Sequence, residues 1–191
     1  MEALSKIIVI SGISGSGKTT LVRYLLDQKE LNLAFSVSAC SRKKRALEVD
    51  GEHYIFLSPS TFKNKIKNNE FLEWEEVYPH HFYGTLKYYA NQLLASGKNI
   101  LFDVDVQGAL SIKNYFKSQA CTIFITPPSI DEIQQRLINR NTESAADLNT
   151  RIKKMKQELT FGEKMDFQLL NDDLNIAKQS IYNYVKNFLR S

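Results

Sequence analysis

Only two cysteines occur in the 191 residues, Cys40 and Cys121, far apart and with no CxxC pair. That usage suggests neither a disulfide framework nor a zinc site and fits a reducing compartment. The three histidines, His53, His80 and His81, do not change this. Long apolar runs are also missing: the apolar stretch of MEALSKIIVISG is too short for a signal-peptide core, and no other run could span a bilayer. A cytosolic protein with no membrane partner is expected. Charge of one sign does not dominate either, with 25 Lys and Arg against 21 Asp and Glu and a net charge of +4. A dedicated nucleic-acid binder would be more one-sided, whereas anionic small molecules suit this balance. Internal repeats and low-complexity linkers are absent, so the length reads as one compact unit or a core with small subdomains.

What is present has an α/β rhythm. KIIVIS (Lys6 to Ser11) is a β-branched run ending at glycine, and TLVRYLLDQ after it has helical periodicity, so strand, loop and helix follow one another. NILFDV (Asn99 to Val104) and TIFIT (Thr122 to Thr126) are continuous apolar runs of the kind buried on both faces of a parallel sheet. Helical patterns follow through Gly108 to Phe116 and Ile130 to Asn139, and FQLL (Phe167 to Leu170) precedes a closing amphipathic helix, LNIAKQSIYNYVKNFLR. Two segments break the rhythm. Between Phe35 and Tyr89, FSVSAC, HYIFL and FLEWEEVY read as strands and Ser58-Pro59 starts a short helix to Asn68, which makes an α+β insertion. The span Ser129 to Leu159 is polar, helical and rich in Arg and Lys.

The chemistry starts at GISGSGKTT, residues Gly12, Ile13, Ser14, Gly15, Ser16, Gly17, Lys18, Thr19 and Thr20, which match GxxxxGK[ST] between a strand and a helix. Small residues let backbone N–H groups turn inward around phosphate oxygens. Lys18 then neutralises β/γ-phosphates, Thr19 offers a hydroxyl to Mg²⁺, and the helix start adds partial positive charge. LFDVD (Leu101 to Asp105) is the apolar strand ending in a carboxylate that accompanies such loops, with Asp103 the candidate near the metal, directly or through water. Asp105 to Gly108 also fit DxxG, which raises a switch GTPase as an alternative, although no NKxD element for reading guanine is present. The four basic residues Arg42, Lys43, Lys44 and Arg45 could be a targeting signal, a nucleic-acid patch, a solvated surface or a clamp for one phosphate.

Behind GISGSGKTT come SVSACSR, Arg45, EVDGEHY, FLEW, FYGT, FDVDVQG and LNDDL, and this ordered set resembles the guanylate kinase family over essentially the full chain. The resemblance implies transfer of a phosphoryl group from ATP to GMP with Mg²⁺, on a P-loop core with a nucleoside-monophosphate-binding insertion and a helical lid. It divides the chain into core residues 1–35, a GMP-binding subdomain 36–89, further core 90–128, a lid 129–160 and a C-terminal core part 161–191. Carried across by matching position, Arg42 and Arg45 resemble the acceptor-phosphate arginines, and Tyr54 and Tyr83 its phosphate-binding tyrosines. The basic cluster then becomes a clamp, with guanidinium forks fixing phosphate oxygens and phenols adding neutral donors. Ser38, Glu73 and Thr85 resemble the guanine-contacting positions, with Asp105 a fourth. Arg136, Arg140 and Arg151 resemble the lid arginines that close on the transferring phosphates, and Arg136 and Arg140, four apart, share a helix face.

The sequence also departs from the family pattern. Ala39-Cys40-Ser41 stands where hydroxyl residues are usual, Asn141 follows Arg140 in place of glycine, and YPHHFYG is one residue longer than the common form. No matched catalytic position is lost. A non-catalytic guanylate-kinase-like interaction module is the other alternative, and the intact GxxxxGKT argues against it.

Overall fold

The computed structural model describes residues 5–129 and 155–191. Along the chain run β1 (Ile7–Gly12), α1 (Lys18–Leu26), β2 (Leu33–Phe35), β3 (Ala39–Cys40), β4 (Ile55–Phe56), α2 (Pro59–Lys67), β5 (Phe71–Tyr78), β6 (His81–Leu86), α3 (Lys87–Ala95), β7 (Asn99–Asp103), α4 (Val106–Phe116), β8 (Ala120–Thr126), β9 (Phe167–Leu170) and α5 (Leu174–Arg190). Residues 155–162 are helical as well.

Five strands form one parallel sheet in the order β2-β7-β1-β8-β9. Its centre, β1, is buried at all six positions and pairs with β7 on one side and β8 on the other. Side chains alternate across a strand, so Ile8 and Ile10 join Leu21 and Leu25 of α1 and Ile181 and Val185 of α5 on one face. Ile7 and Val9 join Ala109 and Ile112 of α4 and Phe124 of β8 in the opposite layer. This two-sided burial is why the strand runs carry no polar alternation. In α5 the buried Ala177, Ile181 and Val185 recur every fourth residue, and Asp173 starts the helix by accepting from the backbone N–H of Asn175 and Ile176 at 2.7 and 3.1 Å.

A second sheet, ordered β4-β3-β6-β5, occupies the insertion. Its β5–β6 and β3–β6 pairs are antiparallel and its β3–β4 pair parallel. One face of it packs on α2, where Phe62 is fully buried and stacked against Phe71 and Phe82 with ring centroids 4.4 and 5.5 Å apart. Ser58 caps α2 by accepting from the Thr61 N–H at 3.0 Å, with Pro59 in the first turn, as the sequence pattern predicts.

Three details differ from the sequence reading. FSVSAC is not one strand: Leu33–Phe35 extends the core sheet beside β7, whereas Ala39–Cys40 belongs to the second sheet. Both halves are apolar enough to pair, and only the long-range partners decide where each goes. His81–Leu86 is a full strand despite Gly84 in its interior, because Gly84 sits where β5 approaches: a Cβ there would lie 2.7 Å from the Glu73 carbonyl oxygen. Helix α3 follows directly, with Leu86 at its cap making no side-chain bond, so no start signal announces it.

Phe62→Ala removes the ring that joins α2 to the second sheet. It is expected to cost about 3–5 kcal/mol of stability in urea denaturation. A loss below about 1 kcal/mol would mean that the cavity collapses and the stack contributes little.

Candidate active site

The loop after β1 follows from how tightly that strand is held. Gly12 leaves the sheet with φ 153°, and a Cβ there would run into the Ile125 carbonyl of β8. Gly17 caps α1 with φ 91°, and a Cβ there would collide with the Asn171 amide. Glycine is required at both points by conformation and by space. Lys18, in the first turn of α1, folds back so that its Nζ donates to the carbonyls of Gly12 at 2.6 Å and Ile13 at 3.1 Å. Burial pushes the Lys18 ammonium down, against the opposing charges of Asp103 and Glu158. Asp103, at the end of β7, is pushed up by burial against the pull of Lys18. Thr19 and Thr20 are exposed on the same helical turn.

A cleft of ≈ 370 Å³ opens from this loop towards the second sheet. Gly12, Ser14, Lys18, Asp103 and Asp105 line it on the core side, and Ser38, Tyr54, Glu73 and Tyr83 line it opposite. Thr85 is buried just behind and donates its hydroxyl to Glu73 Oε1 at 2.6 Å. Burial pushes the Glu73 carboxyl up to about 7; Thr85 bonding opposes this, and the nearby Asp105 and Glu75 charges add to it. Both carboxylates press on Gly108, where a Cβ would come within 3.0 Å of Glu73 Oε2 and of Asp105 Oδ1. Asp105 also caps α4, accepting from the Gly108 N–H at 2.7 Å. The DxxG spacing serves here as a helix cap.

Arg42 lies at the far rim. Its Nε donates to the Tyr83 hydroxyl at 3.1 Å, and its guanidinium rests over the rings of Tyr54 and Phe56 at 5.0 and 5.6 Å. Glu48 takes its fork through two bonds, Nη1 to Oε2 at 2.6 Å and Nη2 to Oε1 at 2.5 Å. The Arg42 bonds hold the Glu48 carboxyl down at about 2. Arg45 is exposed, and its backbone N–H donates to the same Glu48 at 2.8 Å. Lys43 and Lys44 are exposed too.

Thus the P-loop, Asp103 and the Ser38, Tyr54, Glu73, Tyr83, Thr85 and Asp105 set converge on one cleft, with Arg42 tied to Tyr83. Arg136, Arg140, Arg151 and Asn141 lie outside the described residues. The departures within the described residues are accommodated locally. Ala39 and Cys40 are wholly buried in β3, while Ser41 Oγ accepts from the Phe82 N–H at 2.8 Å and donates to the His80 carbonyl at 3.0 Å. That bond tethers the hairpin containing the extra residue, where His80 adopts φ 65°.

Three neighbours have no role assigned by the sequence. Glu158, from the helical residues 155–162, lines the cleft and acts on Lys18. Asn171, just after β9, donates from Nδ2 to the Ser16 carbonyl at 2.8 Å and so braces the loop. Glu48, the first residue of EVDGEHY, pairs with Arg42, and its closeness to the basic run is the local signal for that pairing.

A family model described as guanylate kinase matches residues 4–190. A guanylate kinase of Bacteroides fragilis is 50% identical over 185 residues, covering 97% of this chain and 90% of that one. One from Porphyromonas gingivalis is 44% identical over 186 residues, covering 97% and 99%. Among solved structures, the crystal structure of guanylate kinase from Anaplasma phagocytophilum aligns with a TM-score of 0.78 at 25% identity, covering 100% of this chain and 89% of that one.

The raised Glu73 carboxyl predicts a pH signature in the unliganded protein. A carboxyl whose folded pKa lies above its unfolded value costs stability as pH rises from the ordinary glutamate range through about 7. Glu73→Gln should therefore raise the melting temperature at pH 8 and change it little at pH 5. An equal shift at both values would show that ionisation of Glu73 is not the source.

Proposed function

The chain belongs to the guanylate kinase family, and we propose that it transfers the γ-phosphoryl group of ATP to GMP, giving ADP and GDP. One observation carries this reading. The Glu73 carboxylate with its Thr85 partner stands at one end of a cleft whose other end is the Lys18 loop. Guanine presents N1–H and an exocyclic amine as adjacent donors, which one ionised carboxylate accepts together. Adenine has an acceptor at N1 and would leave a partly buried charge unpaired, a mismatch that rejects a substrate strongly.

The chain's own groups divide the work by charge. Loop N–H groups of residues 12–20 cradle the donor phosphates, and Lys18 exchanges its two loop carbonyls for phosphate oxygens. Arg42 and Arg45 hold the acceptor phosphate with the Tyr54 and Tyr83 hydroxyls, and Ser38, Glu73, Thr85 and Asp105 hold the base. Arg136, Arg140 and Arg151 neutralise the transferring group from the lid. Residues 36–89 act as the acceptor-binding unit and 129–160 as the lid, against a core made of 1–35, 90–128 and 161–191. Such a transfer depends on positioning and electrostatic stabilisation, so no covalent nucleophile is needed.

Magnesium suits the donor set. Among the described residues no group of three or more His, Cys, Asp or Glu side chains could cage a metal. The exposed Thr19 hydroxyl and Asp103 beside Lys18 are the sparse oxygen ligands that Mg²⁺ uses when phosphates and waters complete its shell. Bound there, it would supply charge neutralisation on the phosphates.

ADP release from ATP with a panel of nucleoside monophosphates tests the reading. GMP should be used best, IMP less because it lacks the amine, and AMP least; no preference among them would refute the assignment. Lys18→Ala should abolish transfer in a protein that still folds. For Glu73→Gln, kcat/KM for GMP should fall about tenfold or more and the GMP/IMP ratio should shrink. A wild-type rate and ratio would move base selection to Ser38, Thr85 or Asp105.

A further inference from the structure

The Arg42 fork is already filled. Of the five N–H groups of a guanidinium, four are engaged: Nε with Tyr83, one Nη1 hydrogen with the Lys43 carbonyl, and one hydrogen each from Nη1 and Nη2 with the two oxygens of Glu48. Two parallel bonds from one guanidinium to two oxygens of one anion are also how arginine grips phosphate. Both side chains are well covered, at 13% and 14% exposure, so a phosphate reaching this rim meets a neutral pair.

We propose that Glu48 is an internal stand-in for the acceptor phosphate: in the empty site its carboxylate occupies the Arg42 fork, and it yields the fork when a phosphate enters. This rests on the reading of Arg42 as the acceptor-phosphate clamp. The surroundings suit an exchange of anions. Tyr54, Phe56 and Tyr83 hold the guanidinium plane from the sides that Glu48 does not use, so the fork keeps its aim after Glu48 leaves. Residues 43–47 are exposed, with Leu47 at 92%, so the segment carrying Glu48 can relax without opening the core. Glu48 is thus a positioning residue whose carboxylate competes with the ligand it prepares for.

The consequence is selectivity. A free anion must displace Glu48 with phosphate contacts alone, whereas a nucleotide has a second anchor at Glu73, across the cleft. Inorganic phosphate and GMP should both lose affinity by the fraction of time the fork is closed, and guanosine should lose none.

Glu48→Gln tests this, because the amide keeps the shape and can still accept the Arg45 N–H while losing the charge. Titration calorimetry on wild type and variant should show GMP and inorganic phosphate bound about fivefold tighter by the variant, the scale of a partly exposed ion pair, with guanosine unchanged. In assays the change should fall on the KM for GMP more than on kcat. Unchanged or weaker binding of GMP and phosphate would overturn the proposal, as would an equal gain for guanosine, which would mark a general change in the loop. Should Glu48→Gln melt early, Glu48→Ala serves the same comparison. The reading of the acceptor site fails separately, if the wild-type protein transfers no phosphoryl group to GMP; phosphate binding by the variant still reports on Glu48.

Discussion

The burial of β1 between β7 and β8 is the constraint on which the rest of the molecule depends. All six of its residues are inside, its side chains are divided between two helical layers, and its backbone is paired on both edges. A strand locked in this way has one exit, at its carboxyl end, where open α/β sheets place their ligands. The exit is tight enough that Gly12 has the Ile125 carbonyl where a Cβ would be. The loop cannot drift, so its amides and the first turn of α1 are fixed before any ligand arrives.

The same rigidity makes the site electrostatically expensive. Lys18, Asp103 and Glu73 are all displaced from their ordinary ionisation by burial. Desolvation raises the cost of each charge but also strengthens its interaction with a ligand of opposite charge or matching donors. On the core side the mutual pull of Lys18 and Asp103 limits the cost. On the opposite side of the cleft, Thr85 bonding offsets part of the burial of Glu73, while Asp105 and Glu75 add repulsion. A ligand presenting two donors would relieve that repulsion, so the proposed selectivity for guanine has the same physical source as the raised Glu73 carboxyl.

The rim follows a different logic. Arg42 and Glu48 form a pair that satisfies itself, on a segment that is mostly exposed and anchored to the second sheet through Tyr83 and the two rings beneath the guanidinium. Charge there is balanced in advance. Glu73 and Arg42 thus hold their charges differently: the Glu73 carboxyl is raised by burial, whereas Arg42 already has an anion.

The parallel core was legible in the sequence because its information is local. β-branched runs without polar alternation, a glycine loop ending in Gly17-Lys18-Thr19, a Ser58-Pro59 helix start and the spacing of Ala177, Ile181 and Val185 each state a conformation within a few residues. The phosphate loop and its lysine were readable for the same reason, and the ordered motifs contained the residues that line the cleft opposite it. What only the tertiary structure decided were the pairings across distance. Phe35 and Ala39 stand four residues apart in one apolar stretch yet belong to different sheets, because Phe35 pairs with Leu101 of the core sheet and Ala39 with Ile55 and Gly84 of the second. Asn171 reaches the loop from a separation of 155 residues, and Glu48 turns back six residues onto Arg42 through a bend with no helical or strand period. Sequence patterns encode periodicity and local dihedral preference; which buried carboxylate faces which cation is set by packing, after the elements have met.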